Sequence, residues 1–304
     1  MNKAIVIIVG IIILLGGYFV LKGKNAIPNS ANKLQISASF YPLYFFASQI
    51  AGDKADVKNI TPAGSEPHDY DPPTQDIARI ENGNMLVLNG AVEGWGSKIK
   101  ENLKSKNVEI VVAGEKLLSK QIEENGEIVK DPHVWLNPLL AKKEIAKITE
   151  GFIKIDPTNK QYYEENEKKL DSKLDQLDSS FKEGLKSCQQ KDIITSHAAF
   201  AYLAEQYGLN QVSVSGISPD EEPSGKQLAQ VADFARKNSV KYIFFESLVS
   251  PKLSETIAHE IGAKTLVLDP IEGLSDDDIK AGKDYFSVME NNLKNLQIAL
   301  ECKH

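Results

Sequence analysis

Three observations predict an α/β fold of two lobes, each with an approximately four-stranded parallel sheet flanked by helices, joined by one long rigid helix. Short apolar runs alternate with longer amphipathic segments from residue 34 onward. One uninterrupted helical stretch then breaks the alternation, and the alternation resumes after it. A length of 304 residues leaves room for two lobes of roughly 130 residues each.

At the N-terminus, residues 4–21 (AIVIIVGIIILLGGYFVL) are uncharged and are followed by Lys22 and Lys24. As a helix, about 18 residues at about 1.5 Å each span roughly 27 Å, close to the hydrocarbon thickness of a bilayer. No A-x-A-like cleavage site follows, and position 18, where a lipid-modified cysteine is needed, is Tyr18. Residues 1–24 are therefore expected to be an uncleaved membrane anchor, the body being secreted if the segment is cut. Residues 25–33 are polar and read as a tether.

Residues 34–155 form the expected N-terminal lobe. LQISASF, VKNI, MLVLN and VEIVV are its strands, with helices at LYFFASQIAG, around Pro73–Glu81 and at Gly96–Lys104. The linking helix, 156–188, opens at Asp156-Pro157, since Asp caps free N–H groups and Pro tolerates the first helical position. Leu170, Leu174, Leu177, Phe181 and Leu185 form one apolar stripe along it. The C-terminal lobe, 189–304, resumes with strands DIITS, VSVSG, KYIFF and TLVLD, three intervening helices and a terminal helix over 280–300.

The formal net charge of -7 argues against nucleic acid, which needs clustered Lys and Arg. The two cysteines, Cys188 and Cys302, form no CxxC pair, which argues against a thiolate zinc site or a redox motif. Whether they pair with each other is left open by the sequence.

Five histidines remain: His68, His133, His197, His259 and His304. His68 follows a strand in GSEPHDYDP, His133 precedes a helix in DPHVWLNP, and His197 directly follows DIITS; Asp269 likewise ends TLVLD. Ligand sites of open parallel sheets lie beyond the carboxyl ends of the strands. Two such sheets facing each other bring these loops into one cleft, where three imidazoles and a carboxylate suit a tetrahedral zinc ion. Imidazole also serves copper, nickel and iron. His259 lies in a helix and His304 is terminal, so neither is assigned a role.

The blocks EPHDYDPPTQDIARIENGNMLVLNG, DPHVWLNP, ITSHAAFAYLAEQYGL and FFESLVSPKLSETIAHEIGAKTLVLDP, in this order and with the long central helix, resemble the zinc/manganese family of solute-binding proteins that feed metal ABC importers. The resemblance implies a non-enzymatic protein outside the cytoplasm. It would bind Zn2+ between the lobes through His68, His133, His197 and Asp269 and deliver it, as a monomer, to a membrane permease. Manganese-type relatives tend to carry Glu where this chain has His197, which tilts the site toward zinc over Mn2+ or iron(II). Glu66, Glu246 or water are the alternatives to Asp269, and Asp69, Asp71 and Asp131 are candidates for orienting the imidazoles. The His-rich loop of many zinc-type relatives is replaced by QIEENGEIVKD, which has no histidine. A zinc hydrolase is the rival from another class, but no HExxH helix is present.

Overall fold

Leu34–Ala38 (β1) is the spine of the first sheet, pairing in parallel with Ala55–Asn59 (β2) on one side and Met85–Leu88 (β3) on the other. Glu109–Val112 (β4) completes the order β2-β1-β3-β4. All four residues of β3 are buried, as expected of a parallel strand covered on both faces. The helices of this half are Tyr41–Ala51 (α1), Thr74–Glu81 (α2), Gly96–Leu103 (α3) and Pro138–Ile155 (α4). Gly151 of α4 lies so close to the sheet that a Cβ there would meet Val111 Cγ2 at 2.5 Å.

The structure is a computed structural model that describes residues 33–124, 127–219 and 223–303. The expected anchor, 1–24, and almost all of the tether lie outside the described residues. Among the described residues no helix is long and apolar enough to cross a membrane.

Lys160–Leu185 (α5) is the long helix, preceded by a 3-10 turn at Pro157–Asn159. Its 26 residues extend about 39 Å at 1.5 Å per residue. Each member of the expected stripe, from Leu170 to Leu185, is buried. The second sheet has the order β10-β9-β7-β8, formed by Asp192–Thr195 (β7), Asn210–Ser213 (β8), Tyr242–Phe245 (β9) and Lys264–Val267 (β10), again all parallel. Its helices are Ala201–Tyr207 (α6), Gly225–Lys237 (α7), Lys252–Ile261 (α8), the short Asp276–Lys280 (α9) and Tyr285–Ala299 (α10). Two parallel four-stranded sheets and one long helix are thus the architecture expected from the alternation.

Two features were not anticipated. Gln121–Glu124 (β5) and Glu127–Lys130 (β6) form an antiparallel hairpin within QIEENGEIVKD, a stretch whose Asn-Gly pair is a strong hairpin signal. The main core is also continuous through both halves of the chain. Tyr285 of α10 stacks on Phe45 of α1 at 5.9 Å between centroids and meets Phe46 edge-on at 5.0 Å. Cys188 and Cys302 are joined in a disulfide, tying the end of the long helix to the end of the terminal one.

Candidate metal centre

His68 lies in the loop between β2 and α2, and that loop is fastened to the second half of the chain. Gly64 N–H donates to Leu274 O at 3.0 Å, and Ser218 Oγ–H donates to Asp69 Oδ2 at 3.1 Å. His133 stands before a 3-10 turn at Val134–Leu136, and Asn137 then caps α4 by accepting from Leu139 N–H and Leu140 N–H. Asn89, just past β3, donates to Pro132 O at 3.0 Å and fixes the approach to His133. His197 follows β7, and Glu272 lies in the loop after β10. These four are the only group of three or more potential metal ligands found together among the described residues, and their ligand atoms all lie within 4.8 Å of one another.

The separations have the scale of a coordination shell. His68 Nε2 and His197 Nε2 each lie 3.3 Å from His133 Nε2. Glu272 Oε1 is 2.9 Å from His133 Nε2, 3.2 Å from His68 Nε2 and 3.4 Å from His197 Nε2. Ligands about 2.0–2.1 Å from a tetrahedral zinc ion stand about 3.3 Å apart. Three ring nitrogens and a carboxylate oxygen crowded this closely repel one another unless a cation or protons lie among them.

Carboxylates behind the rings set their orientation. Asp131 Oδ1 accepts from His133 Nδ1–H at 2.8 Å and from the His133 backbone N–H at 2.9 Å. Glu246 Oε1 accepts from His197 Nδ1–H at 2.5 Å and also from the Ser196 hydroxyl. In the neutral rings, with Nδ1 carrying the proton, the Nε2 lone pair faces the centre; a ring that gains a second proton donates from Nε2 to Glu272 instead. Glu66 Oε1 accepts from His68 N–H at 3.1 Å.

The charges follow from these contacts. Burial disfavours a charged His133, but hydrogen bonds to Asp131 and Glu272 outweigh it and raise its pKa. His197 rises well above the usual histidine value; the Glu246 and Glu272 charges overcome its burial. Glu272 is held well below the carboxylate range despite its burial, through the His197 charge and hydrogen bonds from all three imidazoles. Burial, then the Glu272 charge, push Glu66 in the opposite direction.

Of the four expected site residues, the fold brings together His68, His133 and His197. Asp269 is not one of the four grouped donors. Its Oδ1 accepts from Ile271 N–H at 2.7 Å and its Oδ2 from the Ser247 hydroxyl at 2.5 Å. An Asp that binds the N–H two residues on forms a local turn, so its short side chain is used up beside its own backbone. Glu272 takes the fourth place. β10 ends at Val267, so the loop holds both carboxylates, and the Asp-Pro-Ile sequence is the signal that favoured the turn role for Asp269. Of the expected alternatives, Glu246 lies behind the His197 ring, and Glu66 accepts from the His68 backbone N–H. Asp131 orients a ring as expected. Asp69 instead binds Ser218, and Asp71 is exposed. His259 is exposed on α8, and His304 lies outside the described residues.

The turn that delivers Glu272 is strained. Ile271 has φ +59°, a region that costs a non-glycine residue about 1–3 kcal/mol and is a true outlier for a β-branched one. Its side chain is fully buried in the main core, a contribution of about 1.5–3 kcal/mol that offsets the strain.

Comparison with known proteins agrees with this geometry. Residues 36–299 match the family described as zinc-uptake complex component A, periplasmic (ZnuA). The high-affinity zinc uptake system protein ZnuA of Bacillus subtilis (strain 168) is 39% identical over 292 residues, which cover 92% of each chain. The zinc-binding lipoprotein AdcA of Streptococcus pneumoniae (strain ATCC BAA-255 / R6) is 42% identical over 277 residues, covering 87% of this chain but only 55% of that longer protein. The crystal structure of the Zn(II)-bound ZnuA-like domain of Streptococcus pneumoniae AdcA superposes with a TM-score of 0.77 at 41% identity, over 88% of this chain and 99% of that one. The chain belongs to the zinc-uptake complex component A family of solute-binding proteins.

Proposed function

We propose that this protein captures one Zn2+ between its two halves, 34–155 and 189–304, and delivers it to the permease of an ABC importer. The observation that carries the reading is the convergence of His68, His133, His197 and Glu272 at separations of 2.9–3.4 Å. Two of these ligands come from each half, so a bound ion cross-links them. Three nitrogens and one oxygen favour zinc over manganese, which prefers carboxylate, carbonyl and water.

The same donor count favours binding over hydrolysis. A catalytic zinc keeps one of four positions open for water, whereas structural sites are closed by protein ligands. Here side chains supply all four donors. Relatives named as zinc-uptake and zinc-binding proteins support this reading.

A place outside the cytoplasm is supported by the Cys188–Cys302 disulfide, since such bonds persist in oxidising compartments. The apolar run 4–21 is proposed as the tether to the membrane on sequence grounds. Each chain holds a complete ligand set, consistent with action as a monomer.

The test is competitive titration of metal-stripped protein, with the bound metal identified by mass spectrometry. One equivalent of zinc, held far more tightly than manganese, is expected. Glu272→Gln should weaken it strongly, and His197→Glu should move selectivity toward manganese. Failure to retain zinc, or a preference for manganese in the unaltered chain, defeats the reading.

A further inference from the structure

We infer that Asp269 is a positioning residue for metal capture: its carboxylate holds Ile271 in the left-handed turn that carries Glu272 to the three imidazoles. The inference rests on reading that cluster as a zinc site.

Asp269 is itself firmly seated. Its backbone N–H donates to Asn292 Oδ1 at 2.9 Å, and Asn292 Nδ2–H returns a bond to Asp269 O at 2.7 Å. From that fixed point the carboxylate reaches forward to Ile271 N–H at 2.7 Å and sideways to the Ser247 hydroxyl. Between them, Pro270 has a restricted φ, and its carbonyl accepts from Trp135 Nε1–H at 2.7 Å. The strained Ile271 peptide is thus clamped from both sides.

The direction of Glu272 depends on that clamp. Ile271 at φ +59° lies far from the negative values that a β-branched residue prefers. Without the Asp269 oxygen, Ile271 N–H loses its acceptor and the turn has a strong tendency to relax to negative φ. Rotation about that bond swings the next residue, and the Glu272 carboxylate leaves its 2.9 Å contact with His133 Nε2. Strain at one backbone position becomes control over the fourth ligand.

The experiment uses the full chain, stripped of metal, with zinc affinity read by chelator competition and ligand geometry read from the absorption of bound Co2+. Asp269→Ala should weaken zinc by about 10–100-fold, the usual loss when an outer contact of a metal ligand is removed. Its Co2+ spectrum should move toward that of Glu272→Gln. Asp269→Asn keeps an oxygen for Ile271 N–H and should restore both affinity and spectrum. Ser247→Ala, a gentler change, should show a smaller loss in the same direction and serves if Asp269→Ala does not fold. Wild-type binding and spectrum in folded Asp269→Ala, or in Ser247→Ala as its substitute, overturn the inference. So does a loss in Asp269→Asn equal to that in Asp269→Ala, which would mark the charge itself as what the ion needs. An unaltered chain that takes up no zinc removes the zinc reading and this inference together; zinc uptake indifferent to Asp269 removes the inference alone.

Discussion

The indole N–H of Trp135 donates to the carbonyl of Pro270 across 2.7 Å. Trp135 lies two residues after His133, and Pro270 two before Glu272, so two ligands from opposite halves of the chain are linked by a hydrogen bond that does not involve the ion. Tyr285 Oη–H supports the same place by donating to Trp135 O at 2.6 Å. The halves therefore meet at the site through direct protein contacts.

Trp135→Phe removes that donor while keeping an aromatic ring near Phe40, its edge-on neighbour at 4.8 Å. An acceptor left unpaired in the interior costs about 1–3 kcal/mol, and zinc affinity should fall on the order of tenfold as the Glu272 loop loosens. Denaturant unfolding and chelator competition on the same preparation measure the two effects. Unchanged affinity would show that the link is dispensable for the site.

Zinc uptake should release protons at pH 7. His133 and His197 both hold their protons more tightly than a free histidine, because neighbouring carboxylates outweigh burial. A zinc ion needs the neutral rings. Since the raised values lie above about 6.5, competition from protons begins above that pH and grows as pH falls, so affinity should decline steadily on acidification. Calorimetry in buffers of different ionisation enthalpy reads the proton count; a heat independent of buffer at pH 7 contradicts it.

Glu144 should make the fold less stable in mild alkali. It is fully buried, and neither carboxylate oxygen finds a hydrogen-bond partner among the described residues. Burial, then the Glu93 charge, push it up to about 8 from 4.5. The unfolded chain ionises first, so stability is complete below the unfolded value and is lost as pH rises through the folded one. The loss across this window is on the order of 5 kcal/mol. Glu144→Gln should be the more stable protein at pH 8 and show little advantage at pH 4.5, as urea unfolding at each pH will reveal.

Reducing the Cys188–Cys302 bond should destabilise the protein. The bridge spans 114 residues of sequence, and closing so long a loop removes much of the freedom of the unfolded chain, typically about 2–4 kcal/mol. Thermal unfolding with and without reductant, beside a Cys302→Ser variant, measures it. Equal midpoints in all three would remove the bridge from the account of stability.

The sequence alone determined the strands of both parallel sheets, most of the helices and the presence of one long linking helix, because those depend on local periodicity and on capping and turn residues; the β5–β6 hairpin went unread. Leu170, Leu174 and Leu177 are spaced for a buried stripe wherever the helix packs, and they are buried. It determined His68, His133 and His197 for a related reason: loops after parallel strands collect on one side of a sheet, whatever the contacts within them. The partner of each cysteine, the continuity of the core through Phe45 and Tyr285, and the choice of Glu272 over Asp269 were decided only by the tertiary structure. Two carboxylates three positions apart on one loop are equivalent in a linear pattern. What separates them is the Ile271 N–H, which captures the shorter side chain, and the left-handed turn that aims the longer one at the histidines.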